Sequence, residues 1–174
     1  MKAMRQTEAL DPVKAWSSIP IQLRRAVAAS SGGLDVRGGS EGWSVREYVH
    51  HIVEANLVAC TIILAAVGNP GSVFDWSWVT PNRTWMRRMG YSKMPVEASI
   101  TLFRHVVLHI NSIVRNNPAN LRRAVWLYDS GERSKLKRTV MEVLVDEYEH
   151  AQHHLNDIAS IRKPRRSGRR TTGA

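Results

Sequence analysis

Hydrophobic residues recur every three or four positions in four segments of the chain, which is the period of a helix with one buried face. The first segment covers about residues 11–29, and Pro20 can interrupt it. The second covers residues 44–67, the third covers 96–116, and the fourth covers 134–161. Each segment is long enough to form a helix of several turns.

Turn-forming residues separate these segments and mark the ends of the predicted helices. Glycines follow the first helix, the run 68–71 follows the second, an Asn-Pro step follows the third, and the turn 129–131 precedes the fourth. Ser44 and Glu47 form a capping-box pattern where the second helix begins. Strand signals are weak, because no clear alternation of apolar and polar residues is bracketed by turns. The sequence therefore predicts an all-α fold, a bundle of four main helices.

The connection between the second and third helices, residues 68–94, is long for a loop without secondary structure of its own. It carries three tryptophans, a tyrosine and three arginines: Trp76, Trp78, Trp85, Tyr91, Arg83, Arg87 and Arg88. So many aromatic side chains predict that the connection packs on the bundle, with a short helix near residues 82–89.

Length and composition exclude several classes of protein. The chain has 174 residues, of which 43% are hydrophobic and 23% are charged, as in one ordinary globular domain. The most apolar stretch, Leu57–Val67, has 11 residues, whereas a membrane span needs about 20. The first residues lack the apolar run of a signal peptide, and the single Cys60 can form neither an internal disulfide nor a thiolate metal site alone. These features predict a cytoplasmic protein without a membrane partner.

The formal net charge is +10, and six of the positive charges lie in the last 13 residues. This distribution predicts one domain over residues 1–161, followed by a disordered basic tail over residues 162–174. The tail can bind nucleic acid or another anionic surface. It has no aromatic residue that could stack on bases, so a solvated end that aids solubility is favoured.

The apolar stripe of each helix predicts which of the seven histidines face the interior. On the second helix, His50 shares its side with Glu47 and Glu54, which predicts exposure to solvent. The adjacent His51 shares its side with apolar residues and is predicted to point towards the bundle.

His150 and His154 lie on the apolar face of the fourth helix, one turn apart, and this H-x-x-x-H spacing lets two imidazoles bind one ion. His153 shares its side with acidic residues and is predicted to point to solvent. A second pair with the same spacing, His105 and His109, lies opposite the apolar face of the third helix and is predicted to lie on the surface.

Glu147 also lies on the apolar face of the fourth helix, one turn before His150. A buried carboxylate is costly unless it is paired, so Glu147 is a candidate partner for a ligand histidine, or a general base. The alternative is a carboxylate that reaches solvent past the edge of the stripe.

Spacing alone leaves open whether His51 joins His150 and His154, since a single inward histidine is more often a core residue than a ligand. The absence of an H-E-x-x-H motif gives no support for a zincin protease.

Two segments resemble the DinB-like superfamily. Residues 43–55, WSVREYVHHIVEA, resemble its W-[ST]-x-x-E-x-x-x-H-[IL]-x-x-[AS] signature, in which the histidine corresponds to His51. Residues 149–158, EHAQHHLNDI, resemble its H-x-x-H-H-x-x-x-I segment, whose first and last histidines correspond to His150 and His154. The two motifs occur in order, about 100 residues apart, and select the histidines that the apolar faces select.

The resemblance extends over about residues 10–162. It implies a four-helix bundle with up-down-down-up connectivity, in which residues 68–94 are the long crossover between helices 2 and 3. It also implies a divalent metal, commonly nickel or zinc, held by His51, His150 and His154 with open coordination positions. Three neutral imidazoles and an open position are the arrangement of a catalytic zinc.

The superfamily resemblance further implies thiol-dependent transferases and isomerases, or metal-dependent hydrolases, as relatives. We expect a thiol-dependent transferase or isomerase that acts on a small molecule, with Arg83, Arg87, Trp78 and Trp85 of the crossover as candidate substrate contacts. Packing of these four residues on the bundle is the alternative. The other function classes are a metal-dependent hydrolase and a non-catalytic bundle, which can be a homodimer, whose residues 162–174 bind nucleic acid.

Overall fold

Helices dominate the computed structural model, which describes residues 11–30 and 32–161. The elements in chain order are α1 (Pro12–Ser17), α2 (Ile19–Ala28), β1 (Arg37–Gly38), β2 (Trp43–Ser44), α3 (Val45–Gly68), β3 (Val73–Asp75), α4 (Arg83–Met89), α5 (Val96–Asn116), a 3-10 helix (Pro118–Arg122), β4 (Ala124–Asp129), β5 (Ser134–Thr139) and α6 (Val140–Ile161). The predicted basic tail, residues 162–174, lies outside the described residues.

Four helical segments form the bundle, and α1 and α2 together make up the first of them. α3 packs between α5 and α6, and α1 and α2 pack on the other side of α5 and α6. The starts of α3 and α5 meet where His50 contacts Ser99, so these two helices run parallel. Tyr48 near the start of α3 packs on His154, whereas Cys60 farther along α3 lies near Glu147, which precedes His154 on α6, so these two helices run antiparallel. The end of α2 meets the start of α5 through an ion pair between Arg24 and Glu97. These directions give the up-down-down-up order.

The first predicted helix is divided into α1 and α2 at Ser18, as the position of Pro20 allowed. Pro20 has no N–H and cannot donate to the carbonyl group four residues earlier, so the helical ladder is interrupted there. Trp16 is fully buried and donates from Nε1 to Oδ1 of Asn56 on α3 at 2.7 Å. This buried hydrogen bond fixes α1 against α3 in the centre of the bundle.

The second predicted helix is confirmed as α3, and its capping box is formed as expected. Ser44 Oγ accepts from the Glu47 N–H, and the Glu47 carboxylate accepts from the Ser44 N–H at 2.7 Å. By length and composition α3 could cross a membrane, but 14 of its 24 residues are buried in the bundle. Those buried residues include polar ones such as Asn56, which is the pattern of a core helix in a soluble protein.

Two small sheets correct the expectation of a purely α fold. β1 pairs with β2, and β3 pairs in parallel with β4, which pairs antiparallel with β5. The predicted start of the fourth helix at Ser134 is therefore wrong, because residues 134–139 pair with β4 as a strand. α6 begins at Val140, where Thr139 Oγ1 accepts from the Glu142 N–H and the Glu142 carboxylate accepts from the Thr139 N–H.

The crossover contains β3 and α4, so the short helix predicted near residues 82–89 is confirmed. Asn82 caps its first turn, and Gly90, with a φ of 73°, ends it in the left-handed conformation. The Trp85 Nε1–H donates to Glu54 on α3 at 3.0 Å. Tyr91 is buried and hydrogen-bonds the same carboxylate, so the crossover is fixed on the bundle as its aromatic content predicted.

Candidate metal centre

Three imidazole rings converge between α3 and α6. The Nε2 atom of His150 lies 3.1 Å from Nε2 of His51 and 3.1 Å from Nε2 of His154. One nitrogen from each ring can be chosen so that all three lie within 4.8 Å of one another. His150 and His154 approach because they are one turn apart on α6, and His51 approaches because α3 and α6 are antiparallel neighbours.

The spacing of the three nitrogens fits one divalent ion. Zinc binds imidazole nitrogens at about 2.0–2.1 Å, so tetrahedral ligands are about 3.4 Å apart, close to the observed 3.1 Å. Hydrogen bonds between the rings satisfy the nitrogens poorly, because His150 Nε2 faces two other ring nitrogens and carries at most one proton. A shared cation satisfies all three lone pairs together.

Burial keeps two of the imidazoles neutral at neutral pH. Burial, with the neighbouring His150 and His154, lowers the pKa of His51 to about 3. Burial, with His150, lowers the pKa of His154 to about 4, although the hydrogen bond with Asp157 opposes this shift. A metal ligand must carry a free lone pair, so both rings are in the state that metal binding requires.

Asp157 orients His154 from behind. Its Oδ2 lies 3.4 Å from Nδ1 of His154, which favours the tautomer that leaves Nε2 free to face the other two rings. The carboxylate also accepts from the N–H of Ser40 at 2.8 Å and from Ser40 Oγ at 2.9 Å. Burial raises the pKa of Asp157, but the hydrogen bonds from Ser40 and His154 outweigh it, so the pKa lies below its ordinary value.

Glu147 lies beside the second α6 imidazole. Its Oε2 is 3.6 Å from Nδ1 of His150, too long for a hydrogen bond. That oxygen is buried and has no hydrogen-bond partner among the described residues. The sequence left two possibilities open for Glu147, a buried partner of a ligand histidine and a carboxylate that reaches solvent. The side chain is 21% exposed, which is intermediate between the two.

Aromatic rings hold the imidazoles in place on the side away from Glu147. The Trp43 ring packs against His51 and His154, with centroid distances of 5.0 and 5.7 Å. The Tyr48 ring packs against His154 at 5.4 Å, and its hydroxyl donates to the Gly38 carbonyl group. Gly39 sits where a Cβ would lie 2.5 Å from the Tyr48 hydroxyl, so only glycine fits at that point.

A cavity of about 300 Å³ is lined by two of the three imidazoles, those of His51 and His150. His51, His150, Glu147 and Asp146 form its polar end. The remaining walls are apolar side chains and include Ala55, Val58, Ile62, Trp76, Val79 and Leu127. The volume is at the lower end of small-molecule sites, so a small, largely apolar group can lie next to the imidazoles.

His50 is a correction to the sequence analysis, which predicted that it faces solvent. It is 1% exposed and lies between α3 and the start of α5. Its Nδ1 pairs with Ser99 Oγ at 3.0 Å and its Nε2 pairs with the Met94 carbonyl oxygen at 3.2 Å. Both ring nitrogens are thus occupied, and His50 does not compete with His51.

The other three histidines lie where the sequence predicts. His105 and His109 are exposed on α5, and His153 is exposed on α6. His153 approaches Asp157 at 3.7 Å, and these two with His154 form a second group that could hold an ion. That group uses the carboxylate that Ser40 already binds, so the three-imidazole group is the better metal site.

The four candidate substrate contacts are divided between different surfaces. Trp85 lines a small recess with His51, and Trp78 packs near Trp85 but is 57% exposed. Arg83 and Arg87 line a larger cavity on the other side of α4. Only Trp85 therefore lies close to the imidazoles.

Sequence reasoning missed Asp157, which is one of the acidic residues on the side of the fourth helix that His153 shares and that was predicted to face solvent. The signal available was its position three residues after His154, where a carboxylate on the next turn can reach Nδ1. Trp43 belonged to the motif of residues 43–55, but only the structure shows that it packs on two of the imidazoles.

Among solved structures, the chain is similar to YfiT from Bacillus subtilis, described as a probable metal-dependent hydrolase with an unusual four-helix bundle topology. The TM-score is 0.70 with 16% sequence identity, and the match covers 91% of each chain. No protein-family model matches the sequence, and no curated protein matches it. At this identity the similarity shows a shared fold, and it supports the four-helix bundle that the sequence predicts.

Proposed function

We propose that this protein is a divalent-metal-dependent hydrolase, in which the Nε2 atoms of His51, His150 and His154 hold the ion. The observation that carries the proposal is the convergence of these three nitrogens, with the imidazoles of His51 and His150 lining an adjacent substrate-sized cavity. The similar fold of YfiT, described as a probable metal-dependent hydrolase, supports the same reaction class.

A divalent ion in such a site supplies Lewis-acid chemistry and makes water acidic near neutral pH. The protein positions the reacting groups. Asp157 holds the tautomer of His154, and Trp43 fixes the planes of His51 and His154. The apolar walls orient a substrate and exclude bulk water. Glu147 Oε2, which lacks a partner among the described residues, can take up a proton at the cavity wall and return it to a leaving group.

The proposed metal is zinc or nickel, since imidazole ligands suit both. Cys60 does not supply a thiolate ligand, because burial raises the pKa of its thiol to about 12 and keeps it protonated. Open coordination positions beside three protein ligands are consistent with a catalytic rather than a structural ion.

Several finer expectations stay predictions. A thiol-dependent transferase or isomerase reaction, with a low-molecular-weight thiol as cofactor, would use the same three imidazoles. A cytoplasmic location, a homodimer and nucleic-acid binding through residues 162–174 also stay predictions. Deletion of residues 162–174 tests the last of these, since DNA binding by the tail should weaken steeply with salt and vanish in the truncated chain.

The reaction class is tested by removing metal with a chelator, restoring zinc or nickel, and assaying p-nitrophenyl esters of small acids. A parallel assay with a thiol and 1-chloro-2,4-dinitrobenzene detects the transferase alternative. We expect ester hydrolysis that requires metal, that is lost in His154→Ala and that is kept in His105→Ala, whose imidazole is exposed on α5. Hydrolysis that survives chelation, or that both variants retain, would contradict the proposal.

A further inference from the structure

A second cavity, of about 680 Å³, lies beside the start of α3. Its walls come from β1, from α4 and from residues 90–93, which follow α4. Trp43 lines this cavity and also packs against His51 and His154, so it is shared with the metal centre. No imidazole of the metal centre lines it, so its chemistry is separate.

Positive charge dominates the walls of this cavity. Four cationic side chains line it, namely Arg37, Arg83, Arg87 and Lys93, and the carboxylate there is that of Glu47. Three positive charges are therefore in excess. A cleft lined by one sign of charge concentrates the field inside it and attracts ions of the opposite sign.

The one carboxylate is already committed. Both terminal nitrogens of the Arg37 guanidinium group contact the Glu47 carboxylate, at 2.8 and 2.9 Å, and Glu47 also caps α3. Arg83, Arg87 and Lys93 form no ion pair with any carboxylate in the part of the chain that the structure describes.

The two free arginines are arranged for one ligand. Arg83 and Arg87 are one turn apart on α4, so their guanidinium groups project from the same side of the helix. Met86, between them, is buried and holds that face of α4 against the bundle. Guanidinium groups recognise oxyanions through paired N–H groups, which favours phosphate or carboxylate ligands over other anions.

We propose that this cavity is a binding site for a small organic oxyanion with about two negative charges, such as a phosphate monoester, held by Arg83 and Arg87. Lys93 adds to the attraction, and the Arg37–Glu47 pair keeps one wall rigid. The cavity is larger than a phosphate group, so it can also accept part of the molecule that carries the anion. The site goes beyond the proposed hydrolase function and does not require a metal.

Isothermal titration of the full chain with phenylphosphonate, at fixed ionic strength, tests the site, because the C–P bond of this dianion resists hydrolysis. Arg83→Ala and Arg87→Ala should each weaken binding by about tenfold or more, as expected for a lost charge-assisted hydrogen bond. Arg88→Ala is the matched control, since Arg88 has the same charge on the same helix but does not line the cavity. It should change affinity by less than about twofold.

His154→Ala separates this site from the metal centre, since a phosphonate can also bind a metal ion. Unchanged binding in a folded His154→Ala variant supports the site even if the hydrolase proposal fails. Phthalate is a dianion that carries carboxylates instead of a phosphonate group. Comparing its affinity with that of phenylphosphonate shows which of the two kinds of oxyanion the site prefers. Absence of phenylphosphonate binding to the wild-type chain, equal weakening by all three arginine variants, or loss of binding in His154→Ala would overturn the proposal.

Discussion

Two carboxylates stand beside the imidazoles of α6, and their surroundings differ. Asp157 is 3.4 Å from His154 and is also bound by the backbone and side chain of Ser40. Glu147 is 3.6 Å from His150, and its Oε2 lacks a hydrogen-bond partner among the described residues. The two carboxylates therefore lie at similar distances from an imidazole but differ in the hydrogen bonds that they accept.

The difference assigns different work to the two groups. A carboxylate fixed by several donors keeps its charge and its position, so Asp157 is suited to hold an imidazole in one tautomer. A carboxylate that borders a cavity without a fixed partner can take up and release a proton, so Glu147 is suited to acid–base chemistry. The comparison predicts that Asp157 governs metal affinity and that Glu147 governs turnover.

The largest effect is expected from His154→Ala, which removes the imidazole that Asp157 holds. Two remaining imidazoles bind an ion poorly, so metal affinity should fall by more than about 100-fold, beyond the effect of residues that only orient ligands. His153→Ala removes an exposed imidazole from the same helix and should leave affinity nearly unchanged. Competition titration with a chromogenic chelator measures both, and equal affinities for the two variants would refute the assignment of ligands.

Glu147→Gln should lower turnover by about 100-fold, because an amide cannot exchange a proton as a carboxylate does. Metal affinity should change only a few-fold, because Glu147 makes no hydrogen bond to His150. Glu149→Gln is the matched control, since Glu149 is exposed on the same helix. Measurement of kcat and metal affinity side by side decides the role, and wild-type behaviour of both variants would remove Glu147 from the site.

Asp157→Asn should weaken metal binding by about tenfold, since an amide can still accept from Ser40 but no longer fixes the tautomer of His154. Ser40→Ala, which removes one of the two hydrogen bonds that Ser40 donates to the carboxylate, should have a smaller effect of the same sign. Thermal unfolding checks that each variant is folded. If metal affinity is unaffected in folded forms of both variants, Asp157 does not orient the ligand.

The smallest effect is expected at Cys60. Burial, and next the charge of Glu147, raise the pKa of its thiol from 9.0 to about 12, so alkylation by iodoacetamide at pH 8 should be slow in the folded protein. Glu147→Gln removes the charge but not the burial and should speed alkylation by about twofold to threefold. Asp157→Asn should have no such effect. Equal rates in the two variants would show that Glu147 does not act on the thiol.

The apolar faces of the helices predicted much of the site. His105–His109 and His150–His154 have the same spacing, and the stripe correctly separated the exposed pair from the pair in the interior. The same reasoning failed at His50, because α3 is covered by other elements on more than one side and its buried face is wider than one stripe. Periodicity describes a single buried face and cannot show how many neighbours a helix has.

Local signals also explain what was missed in the fold. The pattern Thr139-x-x-Glu142 is a capping box and could have placed the start of α6 at Val140. The strand before it, residues 134–139, is mostly exposed and rich in basic residues, so it shows no alternating pattern and is defined by its pairing with β4. The buried state of Asp157 depends on Ser40, 117 residues away, which no local pattern reveals.

The central claim, one divalent ion held by His51, His150 and His154, is tested most directly by the metal in the full chain purified without a histidine tag. Elemental analysis and X-ray absorption on the same sample give its amount and its ligands. We predict about one ion per chain, with three imidazole nitrogens at about 2.0–2.1 Å if the metal is zinc. Failure to bind zinc or nickel, or a bound ion whose coordination is the same in His154→Ala, would contradict it.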